Sequence, residues 1–235
     1  MESCCQDREF TRAELDASPS EVLSRGGRHA ADLMLLEVGG EKIVLKDFRN
    51  KGRAARWLVG VLLTWREARV LRRLIGMDGV PQFRGRPDRC SVAMTYIPCR
   101  RMRSDDPALR GNERYVSQLE DLVTRMHRRG VVHLDLKHRT NLAVTPRGVP
   151  VVLDFGSGLC FNPASLSGRA GIALLGPVDR LAVLKWRSRL CPHTLTPRQR
   201  RVVLATGIIE SIFMPGKLIH RLRRALRKRR SAARS

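Results

Sequence analysis

The chain is poor in acid and has no long apolar run. Across 235 residues, 22 Asp and Glu stand against 45 Lys and Arg, a formal charge of +23 at neutral pH. Such a surface seeks polyanions, whether nucleic acid, acidic lipid headgroups or phosphorylated saccharide. Nowhere do about eighteen uncharged apolar residues run together, which excludes a membrane-spanning helix. The nearest approach, Val202 to Met214, carries Glu210 and is too short. Among the cysteines (Cys4, Cys5, Cys90, Cys99, Cys160, Cys191) there is no Cys-x-x-Cys pair, and no signal peptide is expected. They are therefore expected to be reduced thiols of a cytosolic chain. His127, His138 and His220 lack metal-ligand spacing, and no internal repeat is found.

What is present is concentrated between Val131 and Gly158, in the order His133-x-Asp135-x-Lys137, Asn141 and Asp154-Phe155-Gly156. At roughly 5% usage per residue type, seven fixed positions coincide by chance on the order of 10⁻⁹ per start point, so accident is a poor explanation. These residue types suit phosphoryl transfer, in which the protein positions reactants and neutralises phosphate oxygens. Asp135, after the apolar Val131-Val132, is the candidate to orient a hydroxyl and accept its proton. Lys137 is in reach of the moving phosphate. Asn141 and Asp154 supply the hard oxygens that Mg2+ takes beside phosphates. Between them the pattern predicts a hairpin: Leu142 to Val144, a turn at Thr145 to Gly148, then Val151 to Leu153, with Pro150 where no ladder N–H is needed.

These residues resemble the protein-kinase superfamily, whose catalytic loop reads His-Arg-Asp-x-Lys-x-x-Asn and whose magnesium loop reads Asp-Phe-Gly. The resemblance implies Asp135 as catalytic base, Lys137 as the catalytic-loop lysine, Asn141 and Asp154 as metal ligands, and ATP with Mg2+ as cofactors. Two departures stand out. Leu134 occupies the place of the arginine that pairs with a phosphorylated activation loop, so that switch is not expected. Asn141 follows Asp135 by six residues instead of five, although its distance of thirteen to Asp154 is the usual one. One residue bulged within Lys137 to Thr140 accounts for this, with Thr140 as the alternative metal-side residue.

Upstream, Lys46 ends Ile43-Val44-Leu45-Lys46, the second arm of a hairpin whose first arm is Asp32 to Val38 and whose turn is Gly39-Gly40. It is the candidate cation for the nucleotide phosphates. Glu67, on a helical stretch Ala54 to Ile75, is its expected partner. Taken singly, an edge-strand lysine and a helix-face glutamate are bland; together, ahead of the catalytic loop, they are read as functional. The Gly-x-Gly-x-x-Gly phosphate cover is missing. The chain offers only Gly26 and Gly27, which suit either phosphate approach or an ordinary turn. Ser91 to Tyr96 reads as a strand running into Ile97-Pro98, where the resemblance implies the hinge between lobes, with backbone near Tyr96 and Ile97 contacting adenine. Met94 either guards the back of that pocket or is plain core.

The expected fold is α+β and bilobal, with a small β-rich N-lobe (21–97), a shortened helical C-lobe (98–200), a poorly ordered tail (1–20), and an apolar segment with a basic amphipathic helix (201–235). Leu119 to Arg129 reads as a helix leading into the catalytic loop. After Asp154 there is no Ala-Pro-Glu anchor, and the activation segment is read from Gly156 to about Gly176. A helix is expected from Pro177 or Val178 to Leu190, with Asp179 either bracing the catalytic loop or offsetting the helix dipole. The truncation resembles compact bacterial kinases of lipopolysaccharide-core sugars and RIO-type atypical kinases. Trp57, Trp65 and Trp186 are read as packing residues. In Pro215 to Arg230, Leu218, Ile219, Leu222, Ala225 and Leu226 recur at helical spacing among arginines. Such a helix suits an anionic membrane surface, ahead of docking on its own C-lobe or binding RNA. The expected function is an ATP-dependent phosphotransferase acting on a core-type sugar at the inner face of the cytoplasmic membrane. A RIO-like protein Ser/Thr kinase and a pseudokinase module are the alternatives.

Overall fold

A computed structural model describes residues 8–213, except 28, 29, 54 and 104. It opens with a short helix, α1 (Arg12–Asp16), capped by Thr11, whose hydroxyl accepts from Glu14 N–H while Glu14 bonds back to Thr11 N–H. The expectation of a poorly ordered tail is corrected for residues 8–20. Phe10 N–H donates to Arg84 O at 2.7 Å, and Phe10 and Leu15 pack with Leu36, Ile43, Leu45 and Ala93. A polar stretch is ordered here by one capping box and two apolar anchors.

Five antiparallel strands follow in the order β1-β2-β3-β5-β4: β1 (Ser20–Ser24), β2 (Asp32–Val38), β3 (Glu41–Asp47), β4 (Phe83–Gly85) and β5 (Ser91–Thr95). Gly39 and Gly40, at φ 58° and 82°, close the β2–β3 turn as its two-residue length requires. Between β3 and β4 lies α2 (Val61–Arg73), preceded by a π-helical turn Ala55–Gly60 instead of one uninterrupted helix. The junction falls at Gly60, where an added Cβ would stand 2.8 Å from Phe48 Cβ.

The second half is mostly helical. A short strand β6 (Arg100–Arg101) leads to α3 (Glu113–Arg128), β7 (Val131–Val132), the hairpin β8 (Leu142–Val144) and β9 (Pro150–Val152), and β10 (Leu159–Cys160), which pairs with β7. Helix α3 starts at Asn112, whose Oδ1 accepts from Tyr115 N–H, and buries Val116, Leu119, Leu122, Val123 and Met126. Then come α4 (Leu166–Leu190) and α5 (Pro197–Phe213). The expected helix start at Pro177 is corrected. Ser165 caps α4 through Gly168 N–H, so the helix begins at Leu166, eleven residues earlier, and Pro177 lies inside on an exposed face, where water can serve the carbonyl its ring leaves unpaired. The main core joins α2, α3, β7 to β9, Phe155 and the C-terminal half of α4. Trp186 is buried and donates to Leu136 O at 3.0 Å, whereas Trp57 and Trp65 are about half exposed, which corrects their reading as packing residues. No described helix is long and apolar enough to cross a membrane. The basic helix read over 215–230 lies outside the described residues.

Candidate active site

Strand β3 carries Lys46 between Leu33 and Val92 of the neighbouring strands, on the face opposite buried Leu45. Helix α2 brings Glu67 to it: Lys46 Nζ stands 2.9 Å from Glu67 Oε2 and 2.5 Å from Asp154 Oδ1. The other oxygen, Glu67 Oε1, accepts from Phe155 N–H at 3.1 Å. One carboxylate thus holds both the lysine and the Asp-Phe-Gly turn. Burial pushes the Glu67 carboxyl up, against the pull of Lys46. For Lys46, burial works against the charge, but Glu67 and Asp154 outweigh it and hold the ammonium above its ordinary range. For Asp154, burial would raise the carboxyl, and the Lys46 charge and hydrogen bond hold it below the usual value.

The loop from His133 to Asn141 is fastened from beneath. Asp179 of α4, fully buried, accepts from His133 N–H (2.7 Å) and Leu134 N–H (2.8 Å) and bonds His127 Nε2 at 3.0 Å. Asp179 is thus a brace for the loop, three acceptor contacts deep, and not a helix-start residue. His133 is fully buried, its ring 5.0 Å from that of Phe155. Its Nδ1 accepts from Asp135 N–H (3.3 Å), so its Nε2 carries the proton given to Leu153 O (3.1 Å). That is a neutral imidazole, and burial pushes its pKa down accordingly.

Asn141 reaches Asp135 despite the extra residue. His138 N–H donates to Asp135 O and Asn141 N–H to His138 O, two successive turns that span the six-residue separation. The buried Asn141 amide then donates to Asp135 O (3.0 Å) and Asp135 Oδ2 (2.9 Å). Thr140 Oγ1 donates to Asn141 Oδ1 at 3.0 Å, which makes it a support for Asn141. Asp135 is 29% exposed and so oriented yet accessible; Lys137 is exposed two residues on.

Five other candidates fare differently. Gly26 N–H is given to Asp32 Oδ1 (2.9 Å) and Gly26 O accepts from Lys51 Nζ (2.9 Å), so this peptide is tied into a turn and its amide is not offered to a phosphate. Gly27 O accepts from Ala30 N–H within the same turn. Met94 packs in the main core. Tyr96 N–H is spent on Lys42 O at 2.8 Å, extending the β3–β5 ladder by one residue, and Ile97 lines a cavity of about 380 Å³ beside Ile75, Met77 and Gln82. His127 was not singled out in the sequence as a site residue; its place in the last turn of α3 is the one signal that could have found it.

The donor set suits magnesium: the half-exposed carboxylate of Asp154 and the amide oxygen of Asn141 are hard ligands, and Mg2+ takes one or two protein carboxylates beside phosphates. Among the described residues no group of three or more His, Cys, Asp or Glu is placed to hold a metal. The Lys46 ammonium, held by two carboxylates, fits the phosphates of a nucleotide.

No protein-family model matches the chain. No curated protein matches its sequence either. Its fold, by contrast, matches 1326 chains of solved structures. One is the Rio2 kinase from Chaetomium thermophilum, with TM-score 0.55 and 18% identity over 81% of this chain and 63% of that one, so this chain spans less than two thirds of its length. Another is the Rio2 kinase-ADP/Mg2+-phosphoaspartate complex from the same organism, with TM-score 0.55 and 17% identity over 94% and 74%. The chain has a protein-kinase-like fold, with an antiparallel-sheet N-terminal part and a helical C-terminal part.

Proposed function

We propose that the protein is an ATP- and Mg2+-dependent phosphotransferase with a hydroxyl acceptor. The observation that carries this reading is the linked set Lys46–Glu67–Phe155 N–H and Asp154, together with an Asp135 that Asn141 orients. Asp135 accepts the proton of the incoming hydroxyl as its oxygen bonds the terminal phosphorus and the bond to the departing diphosphate breaks. Lys46 holds positive charge against the phosphates, and Glu67 keeps it there. Asp154 and Asn141 would hold Mg2+, which neutralises phosphate charge when bound. The ADP/Mg2+ complex of the Rio2 neighbour is in keeping with such ligands.

For the acceptor we favour a sugar hydroxyl of lipopolysaccharide-core type presented at an anionic membrane surface. Only the ten residues 156–165 separate Asp154-Phe155 from α4, which leaves little segment to dock a peptide. Helix α4 exposes Leu166 (83%), Leu174 (76%) and Val178 (46%) on one face, at spacings of eight and four, with exposed Arg169 and Arg180 nearby. Apolar side chains bordered by arginine suit a headgroup region. The likeness to Rio2 favours a second reading, a RIO-like protein kinase.

The test is Mg2+-dependent ATP turnover with Asp135→Ala and Asp154→Asn variants, each expected to fall by about 10²- to 10⁴-fold. Turnover absent in the wild type, or unchanged in both variants, defeats the reading and leaves a binding module. Transfer of label into extracted core glycolipid, compared with transfer into protein, separates the two acceptors.

A further inference from the structure

Helix α2 turns Glu67 inward and three arginines outward. Arg69, Arg72 and Arg73 line a cavity of about 360 Å³ whose other wall is Cys160, Phe161 and Asn162, on the segment that follows Asp154-Phe155-Gly156. Each guanidinium is positioned by a contact that leaves its charge largely uncompensated. Arg69 stacks over Trp65 at 5.5 Å from the ring centroid and Arg72 over Phe83 at 4.3 Å, while Arg73 Nε donates to Arg129 O at 2.8 Å. Among the described residues no carboxylate pairs with Arg69 or Arg73. Arg72 has Glu9, at 3.2 Å and with both side chains about half exposed, a pairing worth little in water.

Compensation of the helix dipole accounts for Arg72 and Arg73, which sit in the last turn of α2. It does not account for Arg69, more than one turn from the C-cap, nor for three planar forks lining one cavity that has no acid in its wall. Asn162 spends its Oδ1 on Ala164 N–H (3.1 Å), so what its amide has left to offer is a donor. Guanidinium forks held in place, beside an amide donor, match the geometry of a phosphate group and of few other ligands.

We propose that this cavity is a phosphate-binding site, separate from the catalytic centre, that fastens α2 to residues 160–162. Glu67 lies two residues before Arg69 on the same helix and grips Lys46 and Phe155 N–H. A phosphate bridging Arg69 to the opposite wall therefore secures the contact between α2 and the Asp-Phe-Gly turn. This consequence for the site rests on the phosphotransferase reading; the binding does not.

Titration calorimetry of inorganic phosphate into the full-length protein tests it, with Arg69→Ala, Arg72→Ala and, as a control on the catalytic centre, Lys46→Met. Arg69 and Arg72 are exposed, so their variants are expected to fold, checked by an unchanged melting temperature. Saturable binding should weaken by about tenfold or more in each arginine variant, the scale of one charge-assisted hydrogen bond, and persist in Lys46→Met. Binding equal to wild type in both arginine variants, or lost only in Lys46→Met, overturns the proposal. Vesicles of phosphatidylcholine with phosphatidic acid separate the sources. Pelleting lost in Arg69→Ala assigns a lipid headgroup, and equal pelleting beside weakened phosphate binding assigns a soluble ester. Loss of ATP turnover with phosphate binding intact defeats the catalytic reading alone.

Discussion

Leu134 (φ 68°) and Asp154 (φ 61°) are the residues other than glycine at positive φ among those described, one preceding Asp135 and the other opening the Asp-Phe-Gly triplet. A left-handed leucine costs roughly 1–2 kcal/mol, and it persists because Asp179 takes its N–H. Asp154 is held by Lys46 in the same sense. In the sequence Leu134 signified only a missing arginine. Its strain was not legible, because φ at one residue is set by a partner forty-five positions away. His133 gives a pH prediction. Burial lowers its folded pKa from an ordinary 6.5, so below that pH the unfolded chain binds a proton the native chain refuses. Stability contributed by the neutral ring is complete above about pH 6.5 and is lost as pH falls from there towards the folded pKa. Urea midpoints measured from about pH 7.5 to 5 should therefore decline, and decline less steeply in His133→Gln; identical slopes would rule the histidine out.

Among the elements, α4 matters most to the site, since Asp179 is fully buried and joins α4 to the catalytic loop and to His127 at the end of α3. Asp179→Ala strands two backbone donors and an imidazole and should cost about 3–5 kcal/mol, read from denaturant unfolding; a loss below about 1 kcal/mol would mean the loop has another anchor. Gly130, at φ 79°, is a second junction. A Cβ there would collide with Phe161 O, which itself accepts no slack because Phe161 N–H donates to Gly130 O at 2.7 Å. Gly130→Ala should lower the melting temperature by several degrees and, by displacing the β7–β10 pair, weaken the proposed nucleotide binding; a wild-type melting curve would contradict this. The β2–β3 hairpin, α3 from Leu119 onward and the β8–β9 hairpin were legible because period or turn residues mark each; the first turns of α3, from Glu113, were not read, although Asn112 caps them. The start of α4 was not, since a proline inside a helix is found most readily in its first turn and here lies in the twelfth position, tolerated by solvent. The helix at Arg12–Asp16 was missed although Thr11-x-x-Glu14 announces it.

For the whole molecule, the excess of basic residues and the exposed apolar side chains of α4 and α5, where Val202 and Leu204 are 40% and 66% exposed, point the same way. Co-sedimentation with anionic vesicles should exceed that with neutral ones and fall with added salt, as screening requires. A Leu166→Ser/Leu174→Ser pair should reduce it, and so should a chain ending at Met214; binding that survives both changes would remove the membrane argument. The sequence by itself determined the candidate residues, because the proposed phosphoryl transfer calls for particular residue types in a particular order and Lys46, Glu67, Asp135, Asn141 and Asp154 stand in it. Only the tertiary structure decided which of them meet. It put Lys46 against both Glu67 and Asp154, closed the extra residue before Asn141 with two turns, withdrew the Gly26 and Tyr96 amides into bonds of their own, and gathered Arg69, Arg72 and Arg73 around one cavity. Hydrogen-bond partners and burial depend on contacts between distant segments, which no local pattern of residues encodes.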